Sequence, residues 1–145
     1  MRLDYTKASP GGVKAFGSVY GYIMQSGLDA VLVELVYLRV SQINGCAYCL
    51  DMHTRELGKK GVSGAKLALV QVWQEAGALF SEREKAALAW AESVTRVSET
   101  HVPDEAFDAA AAVFSEKELA DLTMAISLMN AFNRLAISFR RQPQV

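Results

Sequence analysis

Cysteine, histidine and proline are scarce in this chain of 145 residues, which carries two, two and three of them. Two cysteines are too few for a disulfide scaffold, and the opening residues Met1-Arg2-Leu3-Asp4-Tyr5-Thr6-Lys7 lack the apolar stretch of an export signal. An intracellular redox or metal role is the better reading of such a pair. No apolar run reaches the roughly eighteen residues of a membrane span; Ala30–Leu38 is broken by Glu34 and stopped by Arg39. Neither sign of charge dominates, with 15 Lys and Arg against 16 Asp and Glu. That balance leaves no electrostatic footprint for nucleic acid and no charged tail. The chain therefore reads as soluble and cytoplasmic, with neither nucleic acid nor membrane among its partners.

The prolines stand at positions 10, 103 and 143, so nothing from Gly11 to Val102 is interrupted by one. Apolar residues recur at helical spacing through most of that stretch, and no convincing alternating strand is present. The pattern predicts one all-α domain over residues 1–145, a compact bundle of about seven helices large enough to bury a real core. The helices are expected at about Pro10–Gln25, Asp29–Ile43, Cys46–Lys60 and Ala65–Glu75. A fifth opens at the capping box Ser81-Glu82-Arg83-Glu84 and ends near Ser98, and a short sixth starts at Pro103-Asp104. The last runs from the capping box Ser115-Glu116-Lys117-Glu118 to about Arg140. The second helix is apolar almost all round, as a buried central helix would be.

Both cysteines fall in one segment, Cys46-Ala47-Tyr48-Cys49-Leu50-Asp51-Met52-His53. At about 100° per residue, Cys49 lies roughly 60° and His53 roughly 20° from Cys46 around a helix axis. All three share one narrow face. A thiol pair able to close a small disulfide, with an imidazole one turn away, is a constellation for thiol redox chemistry. The break at Asn44-Gly45 puts Cys46 in the first turn, where free N–H groups and the helix dipole favour a thiolate. Cys49 stands i,i+4 from His53, whose neutral ring can take the thiol proton and whose charged form can protonate a leaving oxygen. Tyr48, Leu50 and Leu57 are expected to wall off the site. Glu34 is the one acid in the most apolar helix; a carboxylate there must be paired, hydrogen-bonded or protonated. Burial would raise its pKa towards that of a proton shuttle, while a structural pairing with Arg39 or with a loop backbone is the plainer alternative.

Other uses of the cysteines fit less well. Haem attachment needs His directly after the second Cys, where Leu50 stands. A structural zinc site wants four ligands; Cys46, Cys49 and His53 supply three, with Glu34 or His101 as conceivable fourths. A thioredoxin fold needs a βαβ context. The bland reading treats both cysteines as small buried apolar residues, and His53 in register argues against it. His101 lies in a polar turn and reads as a surface residue. Met124, Met129 and Phe132 read as core on the last helix, and Trp73 and Trp90 as packing residues or interface anchors. Asn130 and Asn133 either cap backbone or line a cleft.

The motif Cys-x-Tyr-Cys-x-x-x-His, preceded by Leu38-Arg39-Val40-Ser41-Gln42-Ile43-Asn44-Gly45, resembles the signature of the AhpD-like alkylhydroperoxidases. These sit within the wider carboxymuconolactone decarboxylase superfamily. Glu34, twelve residues before Cys46, matches the family's acidic relay residue, and Leu128–Leu135 looks like its C-terminal helix. The resemblance covers about residues 15–140. It implies an all-helical fold of the AhpD-like type, commonly assembled as a homo-oligomer (trimer or hexamer), and dithiol-dependent peroxidase or disulfide reductase chemistry without a cofactor. It implies that Cys49 attacks the hydroperoxide substrate and becomes a sulfenic acid. Cys46 then resolves it as a disulfide within a proton relay of Glu34 and His53, with Tyr48 as the motif tyrosine. It further implies a dithiol reductant, a lipoyl-bearing protein in some members, and a peroxiredoxin partner in others. The decarboxylase branch typically lacks the CxxC pair, which argues against a muconolactone substrate.

The chemistry agrees, since a sulfenic acid condenses reversibly with a neighbouring thiol. The helix dipole by itself favours Cys46 as the lower-pKa thiol, whereas the family assignment and proximity to His53 favour Cys49. Two other classes stay open on the sequence. One is a metal-binding or redox-sensing module built on Cys46, Cys49 and His53. The other is a carbon-acid enzyme using Glu34 or His53 as base.

Overall fold

Asp29 opens the helix around which the other helices are arranged: its carboxylate accepts the Leu32 N–H at 2.9 Å, and fifteen residues follow before Gly45 ends the run. The computed structural model describes all residues, Met1–Val145, and every regular element is helical. The α-helices are α1 (Tyr5–Ala8), α2 (Pro10–Met24), α3 (Ala30–Asn44), α4 (Ala47–Lys59), α5 (Gly64–Leu69), α6 (Glu82–Thr95), α7 (Val97–Thr100), α8 (Asp104–Ala111) and α9 (Glu116–Ser138). Two 3-10 segments, Val70–Glu75 and Gly77–Leu79, join α5 to α6.

Nine α-helices replace the expected seven or so, and each difference has a local cause. The four-residue α1 is held by Asp4, whose carboxylate accepts the Thr6 N–H and hydroxyl. The helix expected over 65–75 is α-helical only to Leu69. It then tightens into 3-10 geometry and kinks at Val72, where φ is −128° and ψ 32°. The fifth expected helix stops at Thr95 because Arg96 leaves helical geometry. The Ser93 carbonyl, freed at that end, accepts the Thr100 hydroxyl at 2.7 Å instead. Both capping boxes form as read, at Ser81/Glu84 and Ser115/Glu118.

Helix α3 is apolar on every side because it is covered on every side. Leu32, Val33, Val36, Tyr37 and Val40 join Ile23, Trp90, Ala91, Leu122, Ile126 and Met129 in the main core. Leu35 and Leu38 turn the other way, onto Leu57, Val70, Phe80 and Leu88. At about 1.5–3 kcal/mol for each fully buried Leu, Val or Phe, these two clusters are the main source of stability. Met124, expected in the core, is half-exposed, because the apolar stripe of α9 turns inward through Ala125, Ile126 and Met129. No helix is long and apolar enough to cross a membrane.

Candidate active site

Gly45 ends α3 in the left-handed region, with φ 70° and ψ 39°. Its N–H reaches back to the end of α3, and the next amide, Cys46 N–H, donates to the Ser41 carbonyl at 3.0 Å. The chain thus reverses in a single residue and presents Cys46 as the N-cap of α4. A side chain at Gly45 would meet no neighbour within 4 Å, so the only cost of Gly45→Ala is the backbone strain of a left-handed residue, about 1–2 kcal/mol. Urea unfolding should show that loss.

The turn is fastened to α9 by amides. Asn44 Nδ2 donates to the side-chain oxygens of both Asn130 and Asn133, each at 3.0 Å, and the fully buried Asn133 donates to the Ser41 hydroxyl at 3.0 Å. Asn130 also donates to Thr95 and to the Ile126 carbonyl. The polar residues of α9 that the sequence left undecided therefore hold the loop that carries Cys46.

Cys46 and Cys49 are joined as a disulfide with Cα atoms 5.3 Å apart. Cys46 caps α4 and Cys49 lies in its first turn, and the Cys49 N–H, one of the amides a helix start leaves free, points at Cys46 Sγ at 3.4 Å. Both cysteines are buried, packed with Ala136 against Tyr48 and Ile137. One turn further on, His53 Nδ1 meets Glu34 Oε2 at 2.8 Å, with both side chains almost wholly out of solvent. Glu34 therefore pairs with His53 and not with Arg39. The Arg39 guanidinium goes to Glu92 at 2.7 Å, where the Trp73 indole N–H also donates at 2.9 Å.

When Glu34 accepts from Nδ1–H, His53 Nε2 is the ring's free acceptor. That atom is buried and has no hydrogen-bond partner within the protein. The Tyr37 ring lies 5.3 Å from the imidazole, centroid to centroid. Burial, reinforced by Tyr20 and Glu34, pushes the Tyr37 phenol far above its ordinary range, so it stays protonated beside the pair.

Glu34, Cys49 and His53 line one cavity of about 290 Å³, whose other walls are largely apolar and include Tyr20, Met52, Met129 and Phe132. Tyr48 lines it as expected. Leu50 and Leu57 do not; they face the second core cluster. Cys46 opens elsewhere, onto a smaller groove of about 130 Å³ shared with Tyr48 and the segment 140–143. Four of the five singled-out residues thus meet in one cavity, with Cys46 joined to it through the disulfide. His101 sits in an exposed left-handed turn, and no three His, Cys, Asp or Glu side chains come together as a metal-holding group. Sequence reading missed Arg141 and Tyr5, which close the cavity from the two ends of the chain; neither belongs to a motif, and only tertiary structure brings them there.

The model of the carboxymuconolactone decarboxylase family matches residues 10–93, more than half of the chain. The chain belongs to that family. An uncharacterized Bacillus subtilis protein, YdfG, is 34% identical over 138 residues, covering 95% of this chain and 93% of its own. A solved structure from Agrobacterium tumefaciens, of a protein of unknown function suggested to be an antioxidant defence protein AhpD, superposes with a TM-score of 0.95. Its sequence identity is 42%, covering 99% of this chain and 98% of that one. Within the family the likeness is to the AhpD branch. The alkyl hydroperoxide reductase AhpD of a Bradyrhizobium strain is 47% identical over 45 residues, which is 31% of this chain and 25% of that protein.

Proposed function

We propose that this protein is a dithiol-dependent peroxidase of the alkylhydroperoxidase kind. The observation that carries the reading is Cys49. It is joined to Cys46, and it faces a cavity in which Glu34 orients an imidazole whose second nitrogen is free.

In the reduced protein His53 Nε2 takes the Cys49 proton, and Glu34 steadies the imidazolium that results. The thiolate attacks the terminal oxygen of a hydroperoxide. The O–O bond breaks, the sulfur becomes a sulfenic acid, and the leaving alkoxide takes a proton from His53 to depart as an alcohol. The Cys46 thiol then attacks the sulfenic sulfur and water leaves, giving the disulfide. An external dithiol returns two electrons and two protons by thiol–disulfide exchange through a mixed disulfide. Tyr48 stands between the two openings and borders both. We further propose a lipoyl-type dithiol as reductant, a peroxiredoxin as partner and a homo-oligomeric state. The half-exposed Phe16, Tyr22 and Met24 of α2 support burial of apolar surface between copies.

Cys46→Ser separates the two thiols. Treated with one equivalent of an organic hydroperoxide, this variant should hold a sulfenic acid at Cys49, captured by a carbon nucleophile specific for sulfenic acids and located by peptide mass spectrometry. Capture at residue 49 is the expected result. An unmodified Cys49 beside intact peroxide would contradict the assignment.

A further inference from the structure

Arg141 is the one charged side chain bordering the cavity that forms no ion pair within the protein; Asp4 favours its charge without reaching it in an ion pair. Helix α9 ends in a closed turn: Arg140, left-handed at φ 54°, donates to the Ile137 carbonyl, and the Arg141 N–H donates to the Ala136 carbonyl at 2.9 Å. This turn swings the Arg141 side chain back over α4. Its guanidinium lies 4.1 Å from the centre of the Tyr48 ring and 5.7 Å from that of Tyr5, and Nη1 donates to the Tyr5 hydroxyl at 3.1 Å. All of these partners are neutral, and a guanidinium has five N–H donors. Burial opposes its charge, and Tyr5, Tyr48 and Asp4 more than offset that opposition.

The acids of the cavity are already engaged: Glu34 with His53, and Glu56 with Lys59 at 2.6 Å. Arg141 borders both the cavity of Cys49 and the groove of Cys46. Glu34 is buried, whereas Arg141 is partly exposed. An anion would thus be repelled from the inner end and held at the outer one, while apolar atoms fit against Met52, Met129 and Phe132.

We propose that the cavity selects an amphipathic organic anion: an apolar chain ending in a carboxylate that Arg141 binds through its free N–H donors. For the group presented to Cys49 this rests on the peroxidase reading, which makes the substrate an anionic hydroperoxide. Recognition of the anion does not depend on that reading.

The test uses ligands that carry no peroxide. Octanoate and octan-1-ol are titrated by calorimetry into the oxidised protein, into Arg141→Met, which keeps much of the stem, and into Arg141→Lys, which keeps the charge. Arg140→Gly serves as a control, removing a neighbouring positive charge at a position whose backbone favours glycine. In the unaltered protein octanoate should bind about ten- to hundredfold more tightly than octan-1-ol, the range of a charged hydrogen bond. Arg141→Met should bring the two ligands level, Arg141→Lys should keep part of the preference, and Arg140→Gly should keep most of it.

Equal affinity of the two ligands for the unaltered protein would overturn the proposal without recourse to any variant. So would a preference that survives Arg141→Met, or one that Arg140→Gly abolishes as fully. Peroxide-driven loss of thiols with no preference for the anion would remove this inference and leave the peroxidase reading standing. A thiol-inert protein that still prefers octanoate would do the reverse.

Discussion

Cys49→Ser should reduce consumption of an organic hydroperoxide to the rate seen without protein. A serine hydroxyl beside His53 would hold the same place in the cavity, but the reaction consumes sulfur's ability to take up an oxygen atom and later release it. The loss should not come from unfolding. The pair closes a loop with a sequence separation of only 3, worth about 2 kcal/mol in the loop-entropy account, and both side chains are small. Cys49→Ser should therefore unfold in urea close to the reduced parent. Cys46→Ser is the informative contrast. It should consume about one equivalent of peroxide and stop, because the nucleophile is present and the resolving thiol is not. The reverse pattern, with Cys46 spending the equivalent and Cys49 dispensable for it, would exchange the two roles. The helix-start amide directed at Cys46 Sγ is the one feature that pulls that way; the shared cavity of Cys49, His53 and Glu34 pulls the other.

Glu34→Gln should lower kcat/KM for hydroperoxide by about a hundredfold, within the usual range for general acid–base catalysis, while the protein stays folded. The amide oxygen of glutamine can still accept from His53 Nδ1–H, so neither buried partner is left without a hydrogen bond. Lost is the negative charge that stabilises the imidazolium when His53 holds the thiol proton. Full removal with Glu34→Ala is a different experiment. It leaves a buried His53 nitrogen without its partner and opens a void in α3, so it should cost about 2–5 kcal/mol of stability as well. Stopped-flow mixing with peroxide, set beside urea unfolding of each variant, separates the two effects. Unchanged turnover in Glu34→Gln would take Glu34 out of the proton relay.

Part of the candidate site was legible from a local rule: Cys49 and His53 come together by helical spacing, and Glu34 stands out as the one acid in a mostly apolar helix. Their convergence across α3 and α4 follows from the Asn44-Gly45 reversal, which is itself a local signal. Cys46 leaves the shared face that spacing predicts, because as an extended N-cap it opens onto the second groove. The frame was less legible where short-range and tertiary effects compete. The 65–75 segment has helical spacing throughout, yet it tightens and kinks at Val72. The 82–98 stretch reads as one helix and divides at Arg96. Leu50 and Leu57 share the helix of the cysteines but face another cluster. Arg141 and Tyr5 were invisible because they reach the site from opposite ends of the chain.

The most direct test of the central claim starts from fully reduced protein mixed with one equivalent of an organic hydroperoxide. Intact mass, free thiols and released alcohol are then followed together. The account predicts a prompt loss of two hydrogens and of both thiols, with alcohol formed in step and Cys46–Cys49 as the product disulfide. Thiols that persist in excess peroxide, with no alcohol released, would contradict it.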